Sequence, residues 1–149
     1  MGDISKHFDT SEATCRCGCG QTIINPALVG LLEAIRARYD APIMVESWNR
    51  CEEWNEVCKG VLNSYHVQGL AADIYVIGYT DLNVLAKTAE EVGADGVGIY
   101  WGQGFVHVDM RSFAEIPGES GARWTNKPSP NTSYIWLLLE TVGANFLRR

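Results

Sequence analysis

The segment Leu70–Ile77, LAADIYVI, constrains this chain more than any other. It is a mostly apolar run closed by Gly69 and Gly78, which reads as a buried strand between turns. An aspartate stands in its middle. A buried carboxylate is costly unless it is paired or bound to a metal, so whatever encloses this strand must supply Asp73 with a partner. His66 stands just upstream, ahead of the Gly69 turn. A second strand-like segment, Phe105–Asp109 (FVHVD), offers more of the same chemistry. Side chains alternate along a strand. Val106 and Val108 therefore share one face, and Phe105, His107 and Asp109 share the other.

Two imidazoles and one carboxylate match the ligand count of a catalytic zinc site, which keeps its fourth position for water. Such a site ionises water near neutral pH. The plainer alternative is that each histidine is a satisfied core residue and Asp73 caps a turn. Economy favours the metal, because the chain has only three histidines and two of them stand beside strand aspartates. His7 reads as a surface residue.

The other elements follow from periodicity and capping. Asn25 is the expected N-cap and Pro26 the first position of a helix that ends near Tyr39. Leu28, Leu31, Leu32, Ile35 and Tyr39 form its apolar face. Pro42–Ser47 reads as a strand, Glu52–Cys58 as a helical turn, and Thr80–Val92 as a helix capped by Thr80 or Asp81 and stopped by Gly93. Gly96–Trp101 and Phe105–Met110 read as strands joined by a tight turn at Gly102–Gly104. Lys127–Thr132 reads as a loop and Tyr134–Leu147 as a closing helix. The pattern predicts an α+β fold with a small, mainly antiparallel sheet flanked by helices. At 149 residues, one domain is the simplest assignment.

A net charge of −6 argues against a nucleic-acid binder. No segment approaches the roughly 18 consecutive apolar residues of a membrane span. The N-terminal stretch lacks the apolar core of a secretory leader. The expected setting is therefore a monomer made in the cytoplasm, which either stays there or leaves the cell by a route that the sequence does not encode. The glycines at 93, 96, 98, 102 and 104 do not form a dinucleotide fingerprint. Five cysteines are present, three of them in the run CRCGC at 15–19. That run lacks the paired C-x₂-C spacing of structural zinc sites, and free thiols are the default reading. Disulfides and a thiolate metal site remain the alternatives.

Ser64–Val76, SYHVQGLAADIYV, resembles the S-x-H-x-x-G-x-A-x-D signature of the M15 zinc peptidases. That family includes D-Ala-D-Ala carboxypeptidases and peptidoglycan endopeptidases. Phe105–Met110 is similar to its second ligand segment, Gly96–Tyr100 to the strand before it, and Ser47–Arg50 to its S-x-x-R element. The CxCG cluster, the helix after Asn25 and Arg123-Trp124 are similar to parts of one small branch. The resemblance runs from about residue 8 to 125. It implies a Hedgehog/D-Ala-D-Ala-peptidase-like fold and one zinc ion held by His66, Asp73 and His107. It also implies a cell-wall peptide substrate contacted by Arg50, Ser64 and Tyr100, with Arg50 gripping a carboxylate or supporting an oxyanion.

One departure bears on mechanism. Many members carry the general base three residues before the last histidine, where this chain has Gly104. Asp109 is the nearest carboxylate in sequence. It is either the base or a group that orients a ligand, and Glu46 or Asp95 are further candidates. The resulting expectation is a zinc peptidase acting on peptidoglycan, of carboxypeptidase or L,D-endopeptidase type. A non-catalytic, zinc-containing module that binds cell-wall peptide is the alternative.

Overall fold

The computed structural model describes residues 2–126 and the backbone of Asn145–Phe146. Its helices are α1 (Thr10–Ala13), α2 (Pro26–Tyr39), α3 (Glu52–Val57) and α4 (Leu82–Glu91). Its strands are β1 (Ile43–Ser47), β2 (Ala71–Val76), β3 (Gly96–Tyr100), β4 (Phe105–Asp109), β5 (Ala122–Thr125) and β6 (Asn145–Phe146).

Local chemistry explains the helix boundaries. The Asn25 side chain accepts the Ala27 N–H at 2.9 Å, and Pro26 occupies a position whose N–H has no helical partner in any case. Leu28, Leu31, Leu32 and Ile35 are buried along one face of α2. The helix ends where Asp40 turns left-handed, with φ of 51°. Of the two cap candidates for α4, Asp81 serves, accepting the N–H groups of Asn83 and Val84. Gly93 then ends the segment with φ of 108°, a conformation that costs glycine least.

The strands form one sheet in the order β1-β2-β4-β3-β5-β6. The contacts β1–β2, β2–β4 and β3–β4 are antiparallel. β5 joins β3 in parallel, and β6 joins β5 likewise. The sheet is thus mainly antiparallel with a parallel edge that the sequence pattern does not announce. β3 and β4 form the expected hairpin, turning through residues 101–104.

Alternation divides the sheet into two chemically different faces. Val45, Ala72, Ile74, Val76, Val97, Ile99, Val106 and Val108 belong to one hydrophobic core with the buried faces of α2 and α4. Deleting a core leucine such as Leu32 costs about 2–5 kcal/mol. The opposite face carries Ser47, Asp73, His107 and Asp109. The loop expected at Lys127–Thr132 lies outside the described residues, as does most of the helix expected over Tyr134–Leu147. Within that last range Asn145 and Phe146 pair as strand with β5, so a helix does not run through to Leu147. Among the described residues no helix is long and apolar enough to cross a membrane.

Candidate metal centre and its cleft

Register builds the site. Asp73 lies directly opposite His107 on the neighbouring strand, and Ser47 lies opposite Asp73 on its other side. On β3, Gly98 faces His107 and also Trp124 of β5. A single row across four junctions therefore runs Ser47, Asp73, His107, Gly98, Trp124. His66 enters from the loop before β2, where Gly69, with φ of 71°, turns the chain into the strand.

Each of the three donors is pinned by its outer atom. His66 Nδ1 lies 2.8 Å from the Trp48 carbonyl, so it carries the proton and donates it there. That leaves the Nε2 lone pair facing Asp73 Oδ1, 3.2 Å away. His107 Nε2 lies 2.8 Å from Asp109 Oδ2, and its Nδ1 faces the same Asp73 Oδ1 at 3.1 Å. Asp73 turns its other oxygen to Arg50 Nη2 at 3.0 Å. The inner atoms of His66, Asp73 and His107 all lie within 4.8 Å of one another, and all three residues are buried.

This arrangement fits a zinc ion. Donors about 2.1 Å from a tetrahedral zinc stand about 3.4 Å apart, close to the 3.1 and 3.2 Å found here. Outer partners that fix tautomer and ring orientation are what metal-bound histidines ordinarily have. Burial pushes His66 below the ordinary histidine range, which favours the neutral ligand form. Burial acts on His107 in the same sense, but hydrogen bonds to Asp109 and Asp73 outweigh it and raise its pKa. Burial opposes ionisation of Asp73, yet its contacts with His66 and His107 prevail and hold its carboxyl well below the usual range.

Asp109 stands behind His107, away from the other donors. It has no exposed surface. Arg111 grips it through Nε to Oδ1 at 2.9 Å and Nη2 to Oδ2 at 2.7 Å. Asp95 is also elsewhere, accepting the N–H and hydroxyl of Ser112. Glu46 does reach the cleft, which has a volume of about 900 Å³ and leads to the metal site. Asp73 and Glu46 are the carboxylates in its described lining.

Arg50, Ser64 and Tyr100 all line this cleft. Arg50 is heavily engaged: Nε donates to Ser47 Oγ at 2.9 Å and Nη1 to Asn55 Oδ1 at 3.2 Å, besides the Asp73 pair. Ser64 Oγ accepts the His66 N–H at 3.3 Å, holding the ligand loop. Tyr100 stacks on Phe105, with ring centroids 4.8 Å apart, and its hydroxyl accepts Trp124 Nε1–H at 3.0 Å.

Two further residues complete the cleft. Trp124 packs against His107 at a centroid distance of 5.0 Å. Arg111 lies over the Tyr65 and Trp124 rings at 4.8 and 5.3 Å while holding Asp109. The two glycines Gly96 and Gly98 make room for this layer. A Cβ on Gly96 would lie 2.3 Å from the Asp109 carboxylate, and one on Gly98 would lie 2.4 Å from the Trp124 indole. A pair of glycines at i and i+2 on a strand face was the available sequence signal for something bulky resting there. Arg123 points the other way from Trp124, into α4, where its Nε meets buried Glu90 at 3.3 Å.

Fold and site together place three buried candidate metal donors in the lining of one cleft. The sequence model of the peptidase M15 family matches residues 6–109. The chain belongs to that family of metal-dependent peptidases. Comparison with curated proteins gives no match.

Proposed function

We propose that this chain is a mono-zinc peptidase that hydrolyses an amide bond beside a D-amino acid in peptidoglycan peptides. It would act as a D-Ala-D-Ala carboxypeptidase or an L,D-endopeptidase, built as one Hedgehog/D-Ala-D-Ala-peptidase-like domain over residues 1–149. The observation that carries this reading is the convergence of His66 Nε2, Asp73 Oδ1 and His107 Nδ1, each fixed from behind by a different partner. When bound there, zinc supplies Lewis acidity toward a carbonyl and makes water acidic enough to ionise near neutral pH.

The protein's own groups divide the remaining work. Asp109 has two readings, proton acceptor or orienting group, and its enclosure by Arg111 and His107 supports the second. It then holds the His107 tautomer so that Nδ1 faces the donors. Glu46, the other carboxylate that lines the cleft, would take the proton from the attacking water. Arg50 uses three of its five N–H groups on Ser47, Asn55 and Asp73. One N–H on each Nη remains for a substrate carboxylate or a developing oxyanion. Tyr100, Phe105 and Trp124 give the groove an apolar wall for the peptide.

The test is digestion of purified muropeptides by zinc-loaded protein, with metal content measured in parallel. His66→Ala is expected to lose this metal and all cleavage. Glu46→Gln is expected to keep the metal and lose roughly 10²–10⁴ in rate. Cleavage by His66→Ala at the wild-type rate refutes the proposal. Peptide binding without cleavage by the zinc-loaded wild type would instead make the domain a recognition module.

A further inference from the structure

Four of the five cysteines converge in a group separate from the histidine site. Cys15, Cys17 and Cys19 come from the loop after α1, and Cys51 caps α3. Their four sulfurs lie within 4.8 Å of one another. Cys15 Sγ is 3.5 Å from Cys17 Sγ and 3.8 Å from Cys51 Sγ, and Cys17 Sγ is 3.7 Å from Cys51 Sγ. All five cysteines are free thiols. Sulfurs bound at about 2.3 Å to a tetrahedral zinc stand about 3.8 Å apart. The spacing of Cys15, Cys17 and Cys51 is that of a thiolate cage, with Cys19 Sγ within 4.8 Å of each, and far from the roughly 2.05 Å of a disulfide.

A second, independent feature of the backbone points to the same occupant. Every one of the four sulfurs accepts one backbone N–H. Cys51 N donates to Cys15 Sγ, Cys19 N to Cys17 Sγ, Gln21 N to Cys19 Sγ and Trp54 N to Cys51 Sγ, all at 3.4 Å. Gly18 and Gly20, with φ of 91° and 85°, let the chain curl so that the N–H two residues on reaches back to each preceding sulfur. Nothing lies within 4 Å of where a Cβ on either glycine would stand, so their conformation rather than crowding explains them. Donors of this kind stabilise charged thiolates and orient metal ligands. The nearby Arg16 guanidinium is directed elsewhere, to the carbonyls of Ser11, Glu12 and Val45.

We propose that Cys15, Cys17, Cys19 and Cys51 form a second, structural metal site that takes a zinc ion as a tetrathiolate. Binding converts four thiols to thiolates, releases their protons to solvent and leaves a complex of net charge −2. The site clips the N-terminal loop to the residue that follows Arg50. Gln21 continues the clamp, its Nε2 donating to the Asn49 side chain at 3.2 Å and to the Arg50 carbonyl at 3.4 Å. The ion thereby fixes the segment that presents Arg50 to the cleft. It is a positioning device and takes no part in bond cleavage. The proposal is independent of the peptidase reading, because a tetrathiolate site stands whether or not the cleft cuts peptide.

The experiment is native mass spectrometry of reduced full-length protein with added Zn²⁺, paired with Co²⁺ substitution read by absorption. Wild type is expected to bind two zinc ions per chain, and its cobalt form to show a thiolate-to-metal charge-transfer band. Cys17→Ser and Cys19→Ser should each drop to one ion and lose the band. His66→Ala should also drop to one ion yet keep the band. Cys58→Ser, outside the cluster, should retain both ions. One zinc per wild-type chain with no thiolate band overturns the proposal, as does a disulfide mass in the protein that resists reduction while only one ion binds. Because wild type and Cys58→Ser carry the decision, a cysteine variant that fails to fold does not block it.

Discussion

Replacing Gly98 by alanine tests the layered construction of the site. The new methyl would lie 2.4 Å from the Cε2 and Nε1 atoms of Trp124. Carbon atoms prefer about 3.5–4.0 Å, so the indole must retreat by about 1 Å. It has little room, being 3% exposed, packed at a tilt against His107 and hydrogen-bonded to Tyr100. Overpacking of this kind costs about 1–3 kcal/mol, and a rigid ring places it near the top of that range. Alanine recovers about 0.5–1 kcal/mol by restricting the unfolded chain. The net loss is about 2 kcal/mol, a fall in melting temperature of roughly 4–8 °C for a chain of this size. Displacing Trp124 also disturbs His107 and Arg111, and a 1 Å misplacement costs about 10²-fold in rate. Gly30→Ala in α2 is the control. Nothing lies within 4 Å of its new methyl, so it should stabilise by about 0.8–1 kcal/mol. The readouts are calorimetric melting and muropeptide turnover. A Gly98→Ala protein with wild-type melting and turnover would refute the packing argument.

Asp109→Asn should weaken zinc binding or turnover by about 10–100-fold, because the amide no longer supplies the charge that fixes His107; equilibrium metal competition measures it. Wild-type affinity would show that His107 needs no such support. Saturating zinc should raise stability, by about 2.7 kcal/mol at 100 times the dissociation constant, and chelation should reverse the gain in a denaturant titration. Acid should loosen the N-terminal segment. Glu33 accepts the Ser5 hydroxyl and the His7 N–H at 2.6 and 2.8 Å. Burial opposes its ionisation, but these bonds prevail and hold its pKa below the ordinary value. A depressed carboxylate contributes stability above its unfolded pKa and loses it as pH falls through its folded one. The protection factors of residues 2–9, taken against the intrinsic exchange rate at each pH, should therefore fall as pH drops below the ordinary glutamate value of about 4.3 in wild type, and far less in Glu33→Gln.

Two of the three candidate metal donors were legible because a strand exposes its chemistry in steps of two. Asp73 among apolar residues and the His107/Asp109 pair pointed to one polar face, and the structure brings His66 to it from a loop. The helix caps at Asn25 and Asp81 were legible for the same local reason. What depends on register between distant segments was not. The parallel addition of β5 to β3 puts Trp124 over Gly98, and no periodicity within either segment states that pairing. The place of Asp109 relative to the candidate donors depends on which side of His107 it occupies, and strand alternation fixes only the face. Glu46 and Asp95 were equal candidates in the sequence, and only the fold separates them, placing Glu46 on the cleft wall and Asp95 against Ser112. The cysteines are free thiols, as their spacing leads one to expect, but the convergence of four of them was not legible, because Cys51 arrives from beyond Arg50 through tertiary folding alone.

The central claim is that His66, Asp73 and His107 hold a zinc ion that cuts cell-wall peptide. The most direct measurement is the mass of the products formed when the zinc-loaded protein is incubated with purified peptidoglycan peptides. The account predicts fragments that differ from the substrate by hydrolysis of one amide bond beside a D-residue, absent after chelation and restored by zinc. Intact substrate throughout, or the same fragments in the presence of chelator, would contradict it.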